Sequence, residues 1–154
     1  MSGTAHLLIV DDNPMNLETV ARRLERDGFF THRATSGAEA FAVLEDIPVD
    51  LILLDVMMPD MDGYEVLARI KESETWQYIP VIMVTALDDQ DSMVRCIEAG
   101  ADDYLTKPIN TVLLRARVNN CLNKKWLYDR DMEYRQVLED YNEQLQERVD
   151  MQVR

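Results

Sequence analysis

Residues 51–63 read LILLDVMMPDMDG and place a carboxylate directly after an apolar run. The run Leu51–Leu54 has no polar residue, which is typical of a strand that is buried on both faces of a parallel sheet. Ligands of such sheets bind at the carboxyl ends of the strands. Asp55 stands at that point, so it is the first candidate functional residue of the chain.

Two other strand-like runs end in residues of the same kind. Asp11 and Asp12 follow the apolar run Leu7–Val10, and Lys107 closes a third short stretch. Three neighbouring carboxylates repel one another unless a cation is present. Mg²⁺ prefers a few carboxylates, several waters and a phosphate oxygen. The pattern predicts a site for a divalent metal and a phosphoryl group. A turn or a helix cap also explains the Asp pair, since Asp12 or Asn13 could cap the helix that follows Pro14.

Short β-type runs alternate with amphipathic stretches over the first 110 residues, which predicts an α/β fold with a parallel sheet covered by helices on both faces. The fourth predicted helix carries the apolar residues Met93, Val94 and Ile97. The predicted strands are His6–Val10, Phe29–Arg33, Asp50–Leu54, Val81–Val84 and Asp103–Leu105. The predicted helices are Met15–Arg26, Ser36–Glu45, Tyr64–Glu72, Asp89–Ala99 and a helix that begins near Thr111.

The last third of the chain has a different pattern. No Gly or Pro follows Pro108, so the helix from Thr111 can continue without a break. Its second half carries about two heptads, which fit either a paired helix between two chains or a single solvated helix. We predict an α/β domain at residues 1–123 and a helical extension at 124–154 that acts as a coiled-coil linker or dimerisation helix. The seam residues are Leu127, Tyr134, Leu138, Tyr141 and Leu145, with interruptions at Asp131, Arg148 and Gln152.

The composition excludes several classes of protein. With 16 basic and 29 acidic residues, the net charge of −13 disfavours direct binding to nucleic acid or to an anionic membrane. No apolar stretch approaches the roughly 18–20 residues that span a bilayer. The N-terminus lacks the basic region of a secretory signal. Cys96 and Cys121 have no metal-binding spacing and are predicted to be reduced, buried thiols. We therefore expect no membrane insertion and a cytoplasmic location.

In their order and spacing, these motifs resemble the receiver domain of two-component response regulators. The resemblance covers residues 6 to about 122 and implies a flavodoxin-like sheet in strand order 2-1-3-4-5. It also implies a phosphoacceptor module of a phosphorelay, which catalyses only its own phosphorylation and dephosphorylation. The matching segments are Ile9–Asn13, Leu53–Gly63, Val84–Ala86, Gly100–Tyr104 and Lys107-Pro108.

The resemblance assigns a role to each motif residue. Asp55 would take a phosphoryl group from a phosphohistidine, and Lys107 and Thr85 would bind its oxygens. Mg²⁺, with Mn²⁺ as a substitute, would be held by Asp11, Asp12, Asp55 and the backbone carbonyl of Met57. Thr85 and Tyr104 would form a switch pair, and the peptide bond before Pro108 would be cis. Met57 and Leu87 would tune the lifetime of the phosphorylated state, and their apolar side chains predict slow self-dephosphorylation unless they merely rim the pocket.

The expected partner is a histidine kinase or phosphotransfer protein. Pro14, Met15 and Ile109 match the family's docking surface, and Leu17 fits either that surface or the core. The signal is expected to pass through helix 4, strand 5 and helix 5. The C-terminal helix is expected to form a homodimer, and its heptads resemble connectors to an output domain beyond residue 154.

Three rival functions fit the sequence less well. A phosphatase with an aspartate nucleophile needs a second acid two residues on, where this chain has Met57. A calcium loop centred on Gly63 would place Met58 and Arg69 at positions that require acids. A scaffold that has lost phosphorylation does not explain why all the key residues are present.

Overall fold

The computed structural model describes residues 5–86 and 90–153, except for the side chains of residues 152 and 153. Five strands alternate with five helices in these ranges, as the sequence predicted, with bounds that differ by a few residues. The strands are β1 (His6–Val10), β2 (Phe30–Ala34), β3 (Leu51–Asp55), β4 (Val81–Ala86) and β5 (Asp103–Lys107). The helices are α1 (Pro14–Arg26), α2 (Gly37–Asp46), α3 (Gly63–Glu72), α4 (Gln90–Glu98) and α5 (Thr111–Val153).

The strands form one parallel sheet in the order β2-β1-β3-β4-β5. This is the doubly wound, flavodoxin-like order that the resemblance to receiver domains implied. All five residues of β3 are buried, which explains its wholly apolar run before Asp55. The direction of winding reverses between β1 and β3, and in such sheets ligands bind in the crevice at that point.

The helices bury mainly apolar faces against the sheet. Helix α1 buries Leu17, Ala21 and Leu24, so Leu17 belongs to the core and not to a docking surface. Asn13 caps this helix, since its side-chain oxygen accepts hydrogen bonds from the amides of Met15 and Asn16. Of the two caps that the sequence left open, Asn13 is the one that forms, and Asp12 is not the cap.

The apolar residues named for α4 do not form its buried face. This helix buries Ser92 and Cys96, while Val94 and Ile97 are about half exposed. The expectation followed the apolar side chains, but a buried serine costs little when its hydroxyl is hydrogen-bonded. The partners of Ser92 come from two other elements, which the local pattern does not reveal.

The chain divides into two compact units, Met1–Leu122 and Asn123–Arg154. Cys96 and Cys121 are buried in the first unit, and neither forms a disulfide bond. The second unit is helical, and its five heptad-seam residues are exposed. Within the described ranges, no helix combines the length and apolarity needed to cross a membrane.

Candidate functional site

Three carboxylates meet at the carboxyl ends of β1 and β3. Each of Asp11, Asp12 and Asp55 offers an oxygen, and these oxygens all lie within 4.8 Å of one another. Asp55 is 3% exposed and Asp11 8%, whereas Asp12 is open to solvent. The cluster arises because β1 and β3 are adjacent and parallel, so that residues at the ends of the two strands share one edge of the sheet.

Within the described part of the chain, Lys107 and the amide of Met57 are the hydrogen-bond partners of the Asp55 carboxylate. The ammonium group of Lys107 donates to Oδ2 over 3.1 Å, and the amide of Met57 donates to Oδ1 over 3.3 Å. Lys107 is the last residue of β5, and β4 separates that strand from β3. Its long side chain thus reaches over a neighbouring strand end, which places a positive charge at the buried carboxylate.

The electrostatics of Asp55 favour a bound cation. Burial raises the pKa of Asp55 to about 6, and the negative charge of Asp11 acts in the same direction. The ammonium of Lys107 and the Met57 amide lower that pKa but do not offset the burial. The positive charge of one lysine therefore does not fully offset the burial of Asp55 and the repulsion between Asp55 and Asp11. A divalent cation would add positive charge, and carboxylate oxygens are suitable ligands for it.

Backbone packing fixes the loop that follows Asp55. A Cβ at Gly63 would collide with the carbonyl oxygen of Asp55 and lie 2.8 Å from Cα of Val56. The amide of Gly63 also donates to the carbonyl of Val56 over 2.9 Å. Asp62 caps α3 by accepting from the amide of Glu65, consistent with a turn and not a calcium loop. The start of α3 is thereby held against the end of β3.

Thr85 is buried near the end of β4, one residue beyond the partner of Asp55 in the sheet register. Its hydroxyl donates to the hydroxyl of Ser92 on α4 over 2.9 Å. Tyr104 on β5 is half buried against the hydrophobic core, and the guanidinium carbon of Arg117 lies 5.8 Å from its ring centroid. Sequence reasoning missed Ser92, because nothing in its local pattern differs from that of a solvated helix residue.

The remaining candidates lie around the mouth of the crevice. The side chain of Met57 is 73% exposed, although its amide faces Asp55. The Lys107-Pro108 peptide bond is cis. Leu87, the second residue assigned to phosphoryl lifetime, lies outside the described residues.

The fold and the site together define a doubly wound α/β protein with an acidic crevice beside a lysine. The sequence matches the family model of the response regulator receiver domain over residues 7–119. The chain therefore belongs to the response regulator receiver domain family, a family of two-component signalling proteins.

Curated relatives share the domain within longer proteins. The chain is 40% identical to response regulator PleD of Caulobacter vibrioides over 127 residues, which cover 82% of the chain and 28% of PleD. It is 41% identical to the phosphate regulon transcriptional regulatory protein PhoB of Pseudomonas aeruginosa over 118 residues, 77% of the chain and 52% of PhoB. The chain thus spans between about a quarter and about half of these relatives.

Solved structures agree with this assignment. A putative response regulator from Chloroflexus aurantiacus superposes with a TM-score of 0.76 at 35% identity, covering 78% of this chain and 98% of the other. Chemotaxis protein CheY4 of Vibrio cholerae gives a TM-score of 0.72 at 27% identity, covering 77% and 99%. Both matches cover nearly the whole of the other chain and more than three quarters of this one.

Proposed function

We propose that this receiver accepts a phosphoryl group from a phosphohistidine onto Asp55. The observation that carries the proposal is the surroundings of that carboxylate. It is buried, it lies in a three-carboxylate cluster, and the Lys107 ammonium is 3.1 Å from it. A structural aspartate would not need two further acids beside it, because each adds repulsion.

The reaction needs a nucleophile and positive charge. A carboxylate oxygen of Asp55 attacks phosphorus, the bond from phosphorus to the imidazole nitrogen breaks, and an acyl phosphate forms on Asp55. Phosphoryl transfer depends mainly on alignment and on charge at the equatorial oxygens. Lys107 would bind one phosphoryl oxygen, and the hydroxyl of Thr85 would donate to another.

The three carboxylates would hold Mg²⁺, with Mn²⁺ as a substitute, and the carbonyl of Met57 would join them. The raised pKa of Asp55 supports this assignment, because burial and the negative charge of Asp11 both disfavour the ionised carboxylate, and a bound cation would favour it. When bound, the ion supplies charge that stabilises the transferring phosphoryl group.

The partner would be a histidine kinase or a phosphotransfer protein. Pro14 and Met15 are exposed at the start of α1, and Ile109 is partly exposed beyond the cis peptide bond. Ile109 lines a cavity of about 550 Å³, together with Asp11, Lys107 and residues of α1 and α5 that include Val20 and Leu114. Apolar side chains at the rim of this cavity suit a helix that presents its phosphohistidine to the crevice.

The output would pass through α4, β5 and α5. Phosphorylation would draw Thr85 toward the phosphoryl group, and Tyr104 would turn inward. Because the side chain of Met57 cannot orient a water for attack, and Leu87 is apolar, self-dephosphorylation would be slow.

The second half of α5 would pair with the same helix of another copy, and in a longer polypeptide it would lead to an output domain. The seam residues Leu127, Leu138 and Leu145 are exposed on a single helix, which supports this pairing. The charged interruption at Asp131 is compensated within the helix, since Arg135 forms an ion pair with it at 3.1 Å. Phosphorylation would change the pairing or the crossing angle of the two helices.

Acetyl phosphate with Mg²⁺ tests the phosphoacceptor. We expect the intact protein to gain the mass of one phosphoryl group, and Asp55→Asn to gain none. Asp60→Asn is the matched control, because Asp60 is an exposed acid on the same loop and Asn also tolerates its positive φ of 66°. No mass gain in the wild type, or an equal gain in Asp55→Asn, would refute the proposal.

A further inference from the structure

A hydrogen bond between two side chains connects the hydroxyl of Thr85 to helix α4. Thr85 donates to Oγ of Ser92 over 2.9 Å, and both residues are buried. Ser92 is one of the two residues that α4 buries. The contact therefore joins the end of β4 to the buried face of the helix packed beside it.

Tyr64 of α3 holds Ser92 from the other side. Its phenol oxygen forms a short hydrogen bond with the Ser92 hydroxyl and donates to the Ser92 backbone carbonyl over 3.1 Å. The guanidinium carbon of Arg95 lies 3.9 Å from the centroid of the Tyr64 ring. A cation over an aromatic face adds to the attraction between α3 and α4. Ser92 is thus held from α3 while it accepts a hydrogen bond from β4.

The single proton of the Thr85 hydroxyl limits which hydrogen bonds this residue can donate. A hydroxyl group carries a single proton and can donate one strong hydrogen bond at a time. When Thr85 donates to Ser92, it cannot donate that proton to a phosphoryl oxygen on Asp55. The two hydrogen bonds therefore exclude each other.

We infer that Ser92, held by Tyr64, is a positioning residue that retains the Thr85 hydroxyl in the unphosphorylated arrangement. This inference rests on the proposed phosphoacceptor function. Phosphorylation would exchange the Thr85–Ser92 bond for a bond from Thr85 to the phosphoryl group, and α4 would lose this hydrogen bond to β4. By linkage, the contact weakens phosphoryl binding as much as the phosphoryl group weakens the contact.

Beryllofluoride, a phosphoryl mimic, tests the inference on the full chain with Mg²⁺, with its affinity measured by titration calorimetry. In Ser92→Ala the buried Thr85 donor loses its resting partner, and an unsatisfied buried donor disfavours the resting arrangement. We expect beryllofluoride to bind about fivefold more tightly, in line with a single hydrogen bond. Tyr64→Phe keeps the ring beneath Arg95 and removes the hydroxyl, so it should tighten binding by a smaller factor.

A double-mutant cycle tests whether Ser92 acts through the Thr85 hydroxyl or whether its substitution destabilises the protein in general. Thr85→Val removes the hydroxyl, and in that background Ser92→Ala should leave the beryllofluoride affinity unchanged. Unchanged or weaker binding in a folded Ser92→Ala variant would overturn the inference, and so would a tightening that persists in the Thr85→Val background. Failure of the wild type to bind beryllofluoride would instead count against the phosphoacceptor proposal.

Discussion

At Asp55 the folded chain holds a carboxyl group where ionisation is unfavourable. Its pKa of about 6 lies above the ordinary value of 3.8, because burial and the charge of Asp11 outweigh Lys107. The folded state therefore binds this proton more tightly than the unfolded state does. The ionised group lowers stability, with the full cost present above about pH 6 and no cost below 3.8.

Asp55→Asn should therefore stabilise the metal-free protein at high pH. We expect its free energy of unfolding to exceed that of the wild type by about 1–3 kcal/mol at pH 8, and this margin to vanish toward pH 4. Urea unfolding in EDTA measures both values, with Asp60→Asn as the exposed control. A margin that does not depend on pH, or a less stable Asp55→Asn at pH 8, would contradict the assigned electrostatics. Because the proposed Mg²⁺ site exists only in the folded wild type, we expect added Mg²⁺ to narrow this margin.

Sequence reasoning worked best for residues whose role follows from position along a strand. Asp11, Asp12 and Asp55 were recognisable because each follows an apolar run, and parallel strands bring their carboxyl ends together. The raised pKa of Asp55 could not be given a size from sequence, since it depends on burial and on the distance to Lys107. Likewise, the collision that excludes a side chain at Gly63 involves backbone from β3, which sequence spacing does not locate.

Helix α4 shows where local pattern fails at the scale of an element. Its apolar residues Val94 and Ile97 face solvent, and its buried face carries Ser92 and Cys96. Hydrophobic periodicity assumes that polar groups avoid burial, but tertiary hydrogen bonds from Thr85 and Tyr64 satisfy Ser92. The exposed apolar face of α4 is then available to the proposed output surface. Sequence could locate this helix but could not give its rotation about its own axis.

Substitutions in the second half of α5 test whether its heptad seam forms the proposed dimer interface. Leu138→Lys places a charge at the centre of the seam, and a lysine there loses apolar burial and costs desolvation. We expect the association constant of the dimer, measured by sedimentation equilibrium, to fall at least tenfold. Gln136→Lys introduces the same charge on the opposite side of the helix and should leave dimerisation within about twofold of the wild type.

The same measurement with beryllofluoride and Mg²⁺ connects pairing to phosphorylation. We expect either a changed dimerisation constant or a changed pattern of cross-links between residues 134 and 145. Equal constants together with identical cross-links would argue that the helix does not report the state of Asp55. Equal dimerisation of Leu138→Lys and Gln136→Lys would show that the seam is not the interface.

At the scale of the whole molecule, the site and the seam belong to different compact units. The crevice residues and the hydrogen bond from Thr85 to Ser92 all lie within Met1–Leu122, while the heptads lie within Asn123–Arg154. The carboxylate cluster, Lys107 and Thr85 lie at the ends of strands, and helices α3 and α4 contact them through Gly63 and Ser92. The first part of α5 contributes the buried residues Leu114, Val118, Cys121 and Leu122 to the first unit. We therefore expect that a chain without the second unit can still be phosphorylated at Asp55 but no longer self-associates.

A chain that ends at residue 122 separates these two properties. It should fold cooperatively, because it keeps every strand and the buried residues of α5. Its rate of phosphorylation by acetyl phosphate should stay within about twofold of the full chain, because every group proposed to bind the phosphoryl group or the metal is retained. Its sedimentation mass should be that of a monomer at all concentrations, with or without beryllofluoride. A folded truncated chain that loses phosphorylation would show that the helical extension supports the crevice, and one that still dimerises would place the interface on the receiver unit itself.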